Sequence, residues 1–133
     1  MSNGVSHSCI ISLASNCCQE ENLAEAQCRL SQILSSVSYT EAIWTEPLSS
    51  KSNLSSLSSL HSPLYLNQLV YAQTSLTVDA LQAALKQLEC EMGRTPDDRA
   101  KGIVRIDLDL LQYDSNRYHL RDWNRPYVQQ LLR

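Results

Sequence analysis

Apolar positions recur along this chain in two periods, and those periods sort most of it into strands and helices. Ser8-Cys9-Ile10-Ile11-Ser12-Leu13-Ala14 has the length and β-branched content of a buried strand. Ser15-Asn16 breaks it, and Glu20 and Glu21 are acids suited to the first turn of a helix. From Asn22 onward Leu23, Ala26, Leu30, Ile33 and Leu34 recur at spacings of three and four, which predicts a helix to about Leu34. Ser38 to Thr45 is rich in strand formers and ends before Pro47. Leu64 to Thr74 reads as a third strand. Thr77 is a good N-cap for a second helix whose apolar face is Val78, Leu81, Ala84, Leu85 and Leu88, with Gly93 as its C-cap. Arg94 to Gly102 is a charged loop, and Ile103 to Tyr113 is the fourth strand. The order predicts the α+β class: a ferredoxin-like βαββαβ sandwich with an antiparallel sheet and helices packed on one face. Two stretches stand apart. Leu48 to Pro63 is Ser-rich and reads as a mobile loop, although Leu54, Leu57 and Leu60 allow a short helical turn. In the tail from Arg117 to Arg133, Val128, Leu131 and Leu132 suggest an amphipathic turn or a short strand.

Composition narrows the possibilities. A chain of 133 residues, 43% hydrophobic and 19% charged, fits one globular domain over residues 1–133. A net charge of −3 gives no basic footprint, which argues against nucleic acid as a partner. No apolar run approaches the roughly 20 residues needed to span a bilayer, and Met1 to His7 does not read as a secretory leader. Five cysteines leave at least one unpaired, and Cys17-Cys18 is an adjacent pair rather than a C-x-x-C motif. Reduced thiols in a cytoplasmic protein are the expectation.

The candidate chemistry lies in Arg105-Ile106-Asp107-Leu108-Asp109-Leu110-Leu111. In a strand Asp107 and Asp109 share one face while Ile106, Leu108 and Leu110 take the other. Neighbouring carboxylates repel unless a cation lies between them, and hard oxygen donors suit Mg2+. The same pattern also fits a half-exposed strand with a solvated acidic face. By alternation Arg105 would share the face of the two acids.

Several separated motifs then align with one family. Ile11-Ser12-Leu13-Ala14-Ser15-Asn16 is similar to an opening strand I-x-L-G-S-N. Thr45-Glu46-Pro47, Tyr65-Leu66-Asn67, Glu89 to Arg94 (Glu-Cys-Glu-Met-Gly-Arg) and Asp107-Leu108-Asp109 follow in order, and His119 precedes Asn124-Arg125-Pro126-Tyr127. Over about residues 8 to 128 the chain resembles 6-hydroxymethyl-7,8-dihydropterin pyrophosphokinase, a folate-biosynthesis transferase. The resemblance implies ATP and a hydroxymethyl-dihydropterin as substrates and two Mg2+ ions held by Asp107 and Asp109. It also implies Arg94 and Arg105 as catalytic cations. Thr45, Leu48, Tyr65, Asn67 and Tyr127 would bind the pterin, and Glu89, Arg94, His119 and Arg125 the nucleotide.

Three departures accompany it. Ala14 replaces the family's glycine, which permits close backbone approach. The family's R-W-G-P-R-T loop is here Ala100-Lys101-Gly102-Ile103-Val104-Arg105, which leaves Arg99, Lys101 and Arg105 as substitute cations. The chain also ends soon after Tyr127, where family members usually continue. These departures keep a second reading open: a non-catalytic or strongly impaired relative that binds a pterin, a nucleotide or a protein partner.

Overall fold

The computed structural model describes residues 5–46, 64–93 and 95–133. Leu48, the Ser-rich stretch, Arg94 and the side chain of Arg99 lie outside that description.

The strands are β1 (His7–Ser15), β2 (Ser35–Tyr39), β3 (Ile43–Thr45), β4 (Tyr65–Thr74), β5 (Asp107–Tyr113) and β6 (Asn116–Arg117). The helices are α1 (Gln19–Leu30), α2 (Val78–Glu91), α3 (Pro96–Ala100), α4 (Leu120–Trp123) and α5 (Pro126–Leu131). The sheet runs β2-β4-β1-β5-β6, with β3 also paired to β4, and every pairing is antiparallel. This is the expected α+β sandwich. Among the described residues no helix is long and apolar enough to cross a membrane.

One face of the sheet is covered and the other partly so, which buries most of β1 at its centre. Cys9, Ile11 and Leu13 pack under α1 (Leu23, Ala26, Leu30) and α2 (Leu81, Leu85, Leu88) in the main core. Ile10 points the other way, into a second cluster with Leu69, Leu111, Trp123, Val128 and Leu131. The two long helices therefore share one face, while the tail forms two short helices that cover part of the other. The tail is helical for local reasons: Pro126 opens α5, and the Trp123 Nε1–H donates to the carbonyls of Leu111 and Tyr118 at 3.2 and 3.1 Å.

Thr77 caps α2 as expected, its Oγ1 accepting from Ala80 N–H at 3.2 Å, and Gly93 follows the helix at φ 102°. Other boundaries move. α1 starts after Cys18 in the left-handed region, with Glu20 and Glu21 in its first turn as expected, but ends at Leu30; Leu34 still donates back to Leu30 and stays in the core. The second strand is two strands. Three residues separate Tyr39 from Ile43, but only two separate their partners Val70 and Asn67 on β4. Thr40 takes up the excess: its Oγ1 accepts from Leu69 N–H at 3.0 Å and its carbonyl accepts from Gln68 Nε2 at 2.8 Å. The charged loop contains α3, capped by Thr95 Oγ1 at 3.0 Å from Asp98 N–H.

The fourth strand begins at Asp107, not Ile103, because Asn16 holds the preceding residues elsewhere. Buried Asn16 donates from Nδ2 to Gly102 O (2.9 Å) and accepts at Oδ1 from Val104 N–H (2.7 Å), and its own N–H donates to Val104 O (2.9 Å). Gly102, at φ 73°, supplies the left-handed turn this clamp needs. Asn16→Ala removes both side-chain bonds and strands a Val104 N–H. Urea denaturation is expected to show a loss of about 1–3 kcal/mol, whereas a negligible shift would mean the clamp is not structural.

Candidate active site

The sheet face opposite the two long helices carries a small grid of side chains. Asn67 on β4, Ala14 on β1 and Asp107 on β5 form one row, and Leu69, Ser12 and Asp109 form the next. β3 adds Ile43 beside Asn67 and Thr45 beside Tyr65. Asp122, Arg125, Pro126 and Tyr127 from the α4–α5 segment close over this grid, leaving a cavity of about 360 Å³. Chain segments far apart in sequence thus meet at one place.

The carboxylates set its electrostatics. Burial, reinforced by the charge of Asp107, raises the Asp109 carboxyl from 3.8 to about 6, and Asp122 adds to this. His119 acts against it, with Nε2 3.9 Å from Asp109 Oδ1. Arg125 pairs with Asp122 at 3.0 Å. Burial also raises the phenols of Tyr65 and Tyr127. Among the described residues, no group of three His, Cys, Asp or Glu side chains forms a ready-made metal cage. Asp107 and Asp109 instead supply two mutually repelling hard oxygen donors, the number Mg2+ takes when water and phosphate complete its shell. The donor set fits that ion.

Asn67 is buried and oriented. Its Nδ2 donates to Thr45 Oγ1 at 2.8 Å and Ile43 O at 3.2 Å, which leaves the amide oxygen toward the cavity as an acceptor. Of the residues expected in the site, Thr45, Tyr65, Asn67, Asp107, Asp109, Arg125 and Tyr127 all line the cavity. His119 lines an adjoining groove of about 250 Å³ with Gln82, Lys86 and Asp109, so Asp109 borders both spaces. Leu48 and Arg94 lie outside the described residues.

Two residues are placed elsewhere. Glu89, expected at the nucleotide, is sealed under β5 at 1% exposure, where its Oε2 accepts the Leu108 N–H at 2.7 Å. From there it fixes the peptide between the two aspartates. Arg105, expected beside them, lies before the strand begins, so alternation does not reach it. Its guanidinium forks onto buried Asp98 at 2.8 and 3.4 Å, and its stem lies against Gly93, where a Cβ would meet Arg105 Cδ at 3.2 Å. Sequence reasoning also missed Ser12, Glu46, Asp122 and Pro126 as lining residues. Only Ser12 had a readable signal, since alternation on β1 puts it on the face of Ala14.

Comparison with known proteins agrees with this geometry. A family model described as 7,8-dihydro-6-hydroxymethylpterin-pyrophosphokinase matches residues 10–133. The chain is 42% identical over 74 residues to "Folate synthesis bifunctional protein, mitochondrial" of Pisum sativum, covering 50% of this chain and 14% of that protein. It is 34% identical over 74 residues to "Folate synthesis bifunctional protein" of Arabidopsis thaliana, covering 50% and 15%. The match therefore spans about a seventh of each relative's length. Because the family model runs from the first strand through α5 and takes in the whole cavity, the chain belongs to the 7,8-dihydro-6-hydroxymethylpterin-pyrophosphokinase family.

Proposed function

We propose that this protein transfers pyrophosphate from ATP to 6-hydroxymethyl-7,8-dihydropterin with Mg2+, a step in folate biosynthesis. One observation carries the reading. The cavity offers an amide acceptor, Asn67, at one side and a carboxylate pair at the other, with the central strand between them. Two inter-strand spacings amount to about 9–10 Å. That separation suits a flat two-ring heterocycle with donor groups at one edge and a one-carbon arm at the other.

Each residue then has a task. The Asn67 oxygen accepts from the ring's amide and amino N–H groups, held in that orientation by Thr45 and Ile43. Tyr65 and Tyr127 flank the ring from the sheet and from α5. The nucleotide lies in the adjoining groove by Lys86 and His119, which brings its phosphates to Asp109, the border of the two spaces. Asp107 and Asp109 would hold Mg2+, which supplies charge neutralisation and polarisation of phosphate oxygens. Arg125 lines the cavity as a cation for the transferred group, once released from Asp122. Alignment and electrostatics do most of the work in phosphoryl-type transfer.

A specific observation favours a second reading, an impaired relative that binds without efficient turnover: Arg105 is committed to Asp98. Incubation with ATP, Mg2+ and the pterin separates the two. AMP formation that falls about 100-fold or more in Asp109→Ala supports the enzyme; absence of AMP from the wild type overturns it.

Asp109 also predicts a stability effect. Its folded-state pKa is raised, so the protein is most stable with this group protonated in both states, loses stability as pH rises from the unfolded value of 3.8 to about 6, and loses no more above that. Without metal, Asp109→Asn is therefore expected to stabilise the protein by on the order of 1–2 kcal/mol at pH 7 and to have little effect near pH 4. Thermal denaturation at both pH values checks the sign; equal midpoints of mutant and wild type at pH 7 would refute it.

A further inference from the structure

Ser12 sits in the middle of the cavity floor with an unused hydroxyl. The residue is 7% exposed, points to the face of Ala14, and lies in register between Leu69 on β4 and Asp109 on β5. Leu69, fully buried, offers no polar group. The Ser12 hydroxyl has no hydrogen-bond partner among the described residues, including its neighbour Asp109. Yet no described side-chain polar atom is both sealed from solvent and unpaired, so the oxygen is reached from the cavity it lines. Once a ligand fills the cavity and excludes water, a hydroxyl there is costly to leave without a partner. An alanine at this position, between Leu69 and Asp109, would carry no such cost.

We infer that Ser12 is a substrate-reading residue, whose hydroxyl hydrogen-bonds a heteroatom in the middle of the bound heterocycle. The inference rests on the pterin reading above and deepens it. A ring reaching from Asn67 to the carboxylates passes over β1, so its midsection faces Ser12 and Ala14. Ala14 can offer only a methyl group. Ser12 offers a donor and acceptor, which suits a ring system with a nitrogen or oxo group between its amide edge and its side arm. A flat ring with carbon at that place would leave the hydroxyl unpaired, and sites built around a hydrogen bond reject analogues that lack it.

The test measures binding of 6-hydroxymethylpterin by calorimetry without nucleotide or metal, and MgATP binding separately, for wild type and Ser12→Ala. Loss of one neutral hydrogen bond predicts about 3- to 10-fold weaker pterin binding in Ser12→Ala, with MgATP affinity and Tm unchanged. Equal pterin affinity in the two proteins overturns the inference and leaves water as the hydroxyl's only partner. Parallel losses for pterin and MgATP also overturn it, because Ser12 would then act through Asp109. If Ser12→Ala does not fold, Ser12→Cys keeps the volume with a weaker donor and carries the same comparison. A wild-type protein that binds no pterin at all refutes the pterin reading itself, a result distinct from these.

Discussion

The register between β1 and β5 is the constraint on which everything else depends. A slip of one residue would turn Asp107 and Asp109 into the core and expose Ile106, Leu108 and Leu110. Three buried aliphatic side chains are worth roughly 5–9 kcal/mol at about 1.5–3 kcal/mol each. That exceeds the few kcal/mol lost by holding two carboxylates together on the other face, so hydrophobic burial sets the position of the acids. Two polar contacts sharpen the register. Asn16 holds residues 102–104 off the strand, and Glu89 takes the Leu108 N–H from below. A bulge between Ile10 and Ile11 then lets Leu111 face the second core while Tyr113 returns to the first.

The same scaffold redistributes charge. Arg105 is taken up by Asp98 and Arg125 by Asp122, so both of these arginines begin neutralised by acids. The consequences differ. Asp98 is buried, its pair with Arg105 is forked, and neither lines the cavity. Asp122 and Arg125 both line it, so an anion that enters the cavity competes for the guanidinium. Of the two, Arg125 is thus the arginine whose pairing is open to exchange from the cavity.

Much of this was legible in the sequence. Periodicity found β1, α1, β4 and α2 because each has a single buried face or is buried throughout. Thr77 and Gly93 marked the ends of α2 through ordinary capping chemistry. The failures have physical causes. Thr40 splits a strand because its hydroxyl stands in for a ladder partner, a tertiary contact with no local signature. Arg105 fell off the predicted face because the strand was extended back to Ile103, while Asn16 draws Gly102 and Val104 away from β5. The tail read weakly because α4 and α5 are short and gain their stability from Ile10, Leu69 and Leu111. The residues on β3, β4 and β5 that line the cavity were therefore readable, and of the wall supplied by α4 and α5 the resemblance reached Arg125 and Tyr127 but not Asp122 or Pro126.

Ser12 and Ala14 show why motif resemblance and physical reading need each other. A motif written I-x-L-G-S-N treats the position of Ser12 as free, yet alternation assigns it to the same face as Ala14, beside a carboxylate. The methyl group of Ala14 narrows the floor where the family's glycine would leave it open, and the neighbouring hydroxyl puts a polar group one row away. The floor of this cavity thus sets a methyl group and a hydroxyl between the amide of Asn67 and the two acids. Any ligand that reaches from one side to the other must also fit what lies between them.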